Sequence, residues 1–265
     1  GFISLHGYLS GYAEGRQMEF PGRLVKGTFL SRPNRFLGTV RVRGEEAGCF
    51  IANPGRLREL LRPGATVWLR EAASPERKTR WDLVLVRHGD LLVSVDTRVV
   101  NQTGFSLVEN HPGRSPGGDR LVPEAIRSEA IPSLRGLGIV KAEHPFLDSR
   151  LDFLARDTEG PVLLEAKSCT LVKGGVALFP DAPTARGTRH LSTLAAAARG
   201  GTRAMVVMVI QREDGEAFTP NAGLDPAFGK AFREALSMGV QACAFTCRIG
   251  RTGITPYREV PVILR

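Results

Sequence analysis

Glu165 and Lys167 stand one residue apart in an otherwise apolar run, "GPVLLEAKSC", and Asp152 lies one short hairpin upstream in "SRLDFLARD". If the two strands pair around "DTEG" with Asp157 opposite Gly160, Asp152 falls across from Glu165. Opposed residues share a sheet face with Cβ atoms about 4.5–5.5 Å apart, and Lys167, two residues on, shares that face. Leu151, Phe153, Leu164 and Ala166 then point to the other face. Two carboxylates this close repel one another unless a cation neutralises them. A hard divalent ion, Mg²⁺ or Mn²⁺, suits such a pair, polarises a phosphoryl oxygen and acidifies a bound water. Lys167 is placed to orient that water. The same residues equally make a cross-strand charged cluster with Lys167 as counter-ion. On repulsion alone, Glu165→Gln is expected to leave the metal-free protein as stable or more so.

The elements that would carry this hairpin differ on its two sides. Residues 24–96 read as short β segments: "RLVKGTFLS", "RFLGTVRVR", "AGCFIA", "ATVWLRE", "WDLVLVR" and "LLVSVD". In "GTVRVRG" the apolar and polar residues alternate with the strand period of two. Leu57, Leu60 and Leu61 in "GRLRELL" follow helical spacing and predict one short helix among the strands. Short strands of this kind favour a small barrel. After a Gly- and Pro-rich stretch over 101–119, the pattern becomes helix, several strands, helix, strand, helix, strand, which is a mixed α/β arrangement. Pro123 sits near the start of the first of these helices, where a missing N–H costs little. The expected division is a leader over 1–17, a barrel over 18–100, a linker over 101–119 and an α/β domain over 120–265.

The chain has 265 residues, 42% of them hydrophobic, with 36 Lys and Arg against 27 Asp and Glu and a net charge of +9. Within 18–100 there are 15 cations and 9 acids, so most of the surplus lies on the barrel. A polyanion is the partner this charge favours, nucleic acid before a membrane. The longest apolar run, "AMVVMVI", is far short of the roughly 18 residues a membrane helix needs. The four cysteines, Cys49, Cys169, Cys243 and Cys247, lack CxxC spacing. They read as reduced, buried thiols of a cytoplasmic protein.

Asp152, Glu165 and Lys167 resemble the PD-(D/E)xK nuclease signature. The context resembles the sugar fermentation stimulation protein A family, through "EAKSCTLVKGGVALFPDAPTARGTRHL", "RFLGTV", "LVPEAI", "SRLDF" and "GTRAMVVMVIQR". The resemblance covers about residues 18–264. It implies an N-terminal OB-like DNA-binding barrel and a C-terminal restriction-endonuclease-like α/β domain, with Mg²⁺ or Mn²⁺ as cofactor. It casts Asp152, Glu165 and the backbone carbonyl of Ala166 as metal ligands and Lys167 as the catalytic lysine. Glu124 matches the first-helix acid that approaches the metal in related nucleases. Asp181, Arg186 and His190 fall in the family's "FPDAPTxRG" loop and the helix after it, where they bind phosphate or fix the loop. Gln211 ends a strand expected beside the site. On the barrel, Arg32, Arg35, Arg56, Arg58, Arg77, Lys78 and Arg80 near its turns are the candidate DNA contacts. Trp81 beside the last three either stacks on a base or fills the core. The leading expectation is a metal-dependent nuclease acting on DNA, with a homodimer left open. Its rival is a DNA-binding regulator linked to sugar metabolism whose nuclease-like domain is structural or weakly active.

Overall fold

The computed structural model describes residues 17–72, 77–101 and 121–264, so the expected leader and linker lie almost wholly outside the described residues. The first strand among the described residues is the two-residue β1 (Met18–Glu19). The barrel follows as β2 (Leu24–Asn34), β3 (Leu37–Val42), β4 (Glu45–Phe50), β5 (Thr66–Glu71), β6 (Trp81–His88) and β7 (Leu91–Ser94). Strand order is β4-β3-β2-β5-β6-β7, and a parallel contact between β4 and β6 closes five strands on themselves. Closure leaves the five-stranded barrel without a free edge. Alternation does what the sequence leads one to expect: Val40 and Val42 are buried, and Arg41 and Arg43 are exposed. They join Phe29, Ile51, Leu69 and Leu83 in the barrel interior.

The predicted helix over 55–61 is a turn instead. Leu57 takes a left-handed backbone at φ 51°, which a helix cannot include. Leu57, Leu60 and Leu61 still point into the barrel interior. Their spacing recorded burial rather than helix.

A short helix, α1 (Arg98–Asn101), leaves the barrel. The second domain contains α2 (Leu121–Arg127), β8 (Gly138–Phe146), β9 (Ser149–Asp157), β10 (Gly160–Cys169), β11 (Leu171–Lys173), β12 (Val176–Phe179) and α3 (Ala185–Arg199). It continues with β13 (Arg203–Ile210), β14 (Ala217–Pro220), α4 (Pro226–Ser237), β15 (Gln241–Ile249) and β16 (Gly253–Val260). Seven strands form one mixed sheet, β1-β16-β15-β13-β10-β9-β8, while β11, β12 and β14 form a small second sheet. β13 runs parallel to both β10 and β15 and is buried along nearly its whole length. That is why it reads as an unbroken apolar run rather than an alternating one. The first strand, β1, belongs to this sheet and not to the barrel.

Each sheet face has its own core. On one face α3 and α4 cover Leu163, Val206 and Met208, with Phe228 and Phe232 of α4 at the centre. On the other, Leu164, Ala166 and Val207 pack with α2 and with Trp68, Val84 and Leu85 of the barrel. The barrel therefore docks on the sheet through a shared apolar core.

Candidate active site

The β9–β10 hairpin has the register expected of its two-residue turn, from Gly160↔Asp157 to Leu164↔Phe153. Just beyond the last of these pairs the strands part. The backbone N–H of Ala166 donates to Asp152 Oδ2 at 2.8 Å, and that of Asp152 to Glu165 Oε2 at 3.3 Å. Carboxylates thus replace the ladder where the strands separate. Of the four residues expected on the opposite face, Phe153, Leu164 and Ala166 lie there. Leu151, past the paired region, packs with the helix-side core instead.

Glu165, 1% exposed, points to the helix-covered face. Its Oε1 meets both Lys167 Nζ and His190 Nδ1. His190 arrives from α3, which Thr184 starts by accepting from the Gly187 N–H at 3.0 Å. One turn earlier on that helix, Arg186 Nε donates to His190 Nε2 at 3.4 Å. A ring that accepts at Nε2 carries its hydrogen on Nδ1, where it faces Glu165. Burial would raise the Glu165 carboxyl, but Lys167 and His190 outweigh it and hold the group below the ordinary carboxylate range. Asp152 has the reverse balance. Burial, then the adjacent Glu165 charge, push its carboxyl up to about 7. Opposed environments for two neighbouring acids are a feature of functional sites.

The group opens into a cleft of about 740 Å³ between the domains, with Arg35, Asn53 and Gly55 on the barrel wall and Arg150 and Arg186 on the other. The wall is fixed by a clasp. Asp181 accepts from the Leu57 N–H at 2.7 Å, and Arg32 donates to the carbonyls of Arg35, Asn53 and Arg56. A Cβ on Gly55 would lie 2.9 Å from both Asp181 Oδ2 and Asn53 Oδ1, so a larger residue here would have to displace one of these oxygens. Gln211, fully buried, donates to Ser94 Oγ and the Asp96 carbonyl and accepts from Ser168. Asp181 and Gln211 therefore join the barrel to the site's own strands and loop.

Glu124 is not among the residues that line the cleft. It is buried on α2, on the sheet face opposite α3, with Arg127 as an ion partner. Among the barrel cations, Arg32 is spent in the clasp, Arg77 pairs with Asp82 at 2.9 Å, and Arg80 with Glu71 at 2.9 Å. Arg35, Arg56, Arg58 and Lys78 are exposed. Trp81 is 4% exposed in the barrel interior, so the core role is the one it fills. A second concavity of about 830 Å³, sharing no lining residue with the cleft, is lined by Arg23, Lys26, Arg43, Arg87 and Arg251. Nothing local in the sequence joins Arg251 to Arg23; the pairing of β1 with β16 does.

Family models for the SfsA N-terminal OB domain and the sugar fermentation stimulation protein RE domain match residues 30–95 and 118–253. The chain belongs to the sugar fermentation stimulation protein family. It is 43% identical over 249 residues to the homolog from Moorella thermoacetica, covering 93% of this chain and 100% of that one. The homolog from Chloroflexus aurantiacus is 40% identical over 239 residues, 90% of this chain and 85% of that one. The solved structure of Pyrococcus furiosus SfsA in complex with Ca²⁺ is 31% identical with a TM-score of 0.79, covering 94% of this chain and 99% of that one. The OB barrel followed by an α/β domain is thus the family's architecture. Among the described residues, no helix is long and apolar enough to cross a membrane.

Proposed function

We propose that the chain is a divalent-cation-dependent nuclease acting on DNA, with the phosphodiester held in the interdomain cleft. The observation that carries this reading is the pair of neighbouring acids, Glu165 buried and Asp152 half-buried, with opposed environments beside Lys167. The donor set suits a hard cation: Asp152 and Glu165 offer only oxygens, and the Ala166 carbonyl would complete the set. The raised Asp152 carboxyl is what an acid pair short of positive charge shows, and the solved relative's structure is described with Ca²⁺. When bound, Mg²⁺ or Mn²⁺ would polarise the phosphoryl oxygen and acidify a water. The chain's own residues do the rest. Lys167 holds the attacking water or the developing negative charge. His190 fixes the Glu165 carboxylate, and Arg186 fixes His190. Arg35, Arg150 and Arg186 receive the strand's phosphates.

The family name favours a second reading, a DNA-binding regulator tied to sugar use. The two part on cleavage. Purified wild type, Glu165→Gln and Lys167→Ala are compared on single- and double-stranded DNA with and without Mg²⁺ or Mn²⁺. Either change is expected to slow cleavage on the order of 10²-fold, about 3 kcal/mol of transition-state stabilisation. No cation-dependent cleavage by the wild type, or equal rates in all three, would end the nuclease reading.

A further inference from the structure

Phe36 is out of place for its chemistry. It is 45% exposed, and among the described residues no other phenylalanine or tryptophan is classed as exposed. It occupies the tight turn between β2 and β3, and its backbone is pinned from both sides. Its N–H donates to Asn34 Oδ1 at 2.9 Å, and its carbonyl accepts from the Ile51 N–H at 2.9 Å. The neighbouring Arg35 carbonyl is held by Arg32. Beneath it lies Phe50, ring centroids 6.3 Å apart and planes 26° from parallel. The Phe50 ring in turn carries the guanidiniums of Arg77 at 5.3 Å and Arg98 at 5.8 Å. Burying a phenylalanine stabilises a fold, so a rigid turn that leaves one half in water forgoes stability. The arrangement suits a flat apolar ligand: a ring fixed in advance, stacked on a second ring, with cations close by. Arg35, the adjacent residue, lines the cleft that holds Asp152, Glu165 and Lys167. In OB barrels the turn between the first two strands is part of the oligonucleotide-binding surface.

We propose that Phe36, backed by Phe50, is a stacking platform for an unpaired base of the strand whose phosphates enter the cleft. It rests on the reading of the cleft as a nucleic-acid site and adds that the preferred substrate has single-stranded character there. A base within a duplex has both faces covered by its neighbours, so only a single strand, a frayed end or a flipped base can lie on the ring.

The test is anisotropy of a labelled 20-nucleotide single strand and a blunt duplex of the same sequence, in chelator so that cleavage plays no part. Stacking contributes about 1–3 kcal/mol per base, which is roughly 5- to 150-fold in affinity. Phe36→Ala is expected to weaken single-strand binding by that factor and leave the duplex within about twofold. The log–log salt slope should stay unchanged, because no phosphate contact is lost. Phe36→Trp should retain affinity, with its fluorescence quenched on binding. Equal single-strand affinity in wild type and Phe36→Ala, or equal losses on both substrates, would overturn the platform. Wild type that binds the duplex but no single strand overturns the platform and leaves the nucleic-acid reading intact. Wild type that binds neither sinks both.

Discussion

At the residue scale, the two acids are not equivalent, and this reverses an expectation drawn from the sequence. Mutual repulsion alone makes Glu165→Gln neutral or stabilising in the metal-free protein. The structure gives Glu165 the charge of Lys167 and a hydrogen bond from His190, and leaves Asp152 with the burden of burial. Glu165→Gln is therefore expected to lower Tm, because it leaves the half-buried Lys167 ammonium without its carboxylate partner and turns an amide NH2 toward the Asp152 N–H. Asp152→Asn is expected to hold or raise it, since an amide oxygen can still accept from the Ala166 N–H without a buried charge. Thermal melts of both variants in chelator decide this, and a larger loss for Asp152→Asn would invert the assignment. Asp152, Glu165 and Lys167 were legible as a group because a two-residue turn fixes register and register fixes faces. The bond from His190 to Glu165 was not, because it spans 25 residues and depends on how α3 lies against the sheet.

At the scale of elements, what positions the site is the start of α3 and the seam of the barrel. Asp225 caps α4 by accepting from the Phe228 N–H at 3.0 Å, and its other oxygen accepts from the Thr184 N–H at 2.8 Å, just ahead of α3. One buried carboxylate thus sets both helices. Asp225→Ala is expected to cost about 2 kcal/mol, some 4–8 °C in Tm for a chain of this size, and to reduce cleavage through His190 and Arg186. A loss under 2 °C would show that the helices are placed by their apolar faces alone. On the barrel, Asp82 of β6 is paired with Arg70 of β5, Arg77, and Arg98 of α1. Burial raises its carboxyl, yet the three guanidiniums outweigh this and hold it below the ordinary range. A depressed carboxylate adds stability above its unfolded value near pH 4 and loses it as pH falls through the folded one. The Tm gap between wild type and Asp82→Asn should be full at pH 7 and close below about pH 4. A gap independent of pH would mean that the charge is not what Asp82 contributes. The strands of the barrel were readable from alternation. The turn at 55–61 was not, since leucines spaced three and four apart satisfy a barrel interior as well as a helix face.

At the scale of the whole molecule, the question is where a polyanion lies. The composition places the surplus charge on the barrel and so expects the barrel turns to carry DNA affinity. Contacts within the barrel change this: Arg32 is held by backbone carbonyls, Arg77 pairs with Asp82 and Arg80 makes an exposed pair with Glu71, while the cleft draws its exposed cations from both domains, Arg35 from one and Arg150 and Arg186 from the other. The second concavity offers a competing path through Arg23, Lys26, Arg43 and Arg251, for which the described residues supply no ion pair within 4 Å. Charge alone does not choose between them, but chemistry does, because only the cleft contains the acid pair and Lys167. Each phosphate neutralised on a duplex adds about −0.9 to the slope of log affinity against log salt. Replacing Arg35, Arg150 and Arg186 with alanine should therefore flatten the slope by about 2 to 3. The fourfold replacement of Arg23, Lys26, Arg43 and Arg251 should change it by less than about 1. All seven side chains are exposed, so neither variant is expected to melt more than a few degrees below wild type. Duplex titrations over a range of salt, in chelator, read both slopes. If the fourfold variant flattens the slope and the cleft variant does not, nucleic acid runs along the β1–β16 seam, and the acid pair loses its access to a phosphate.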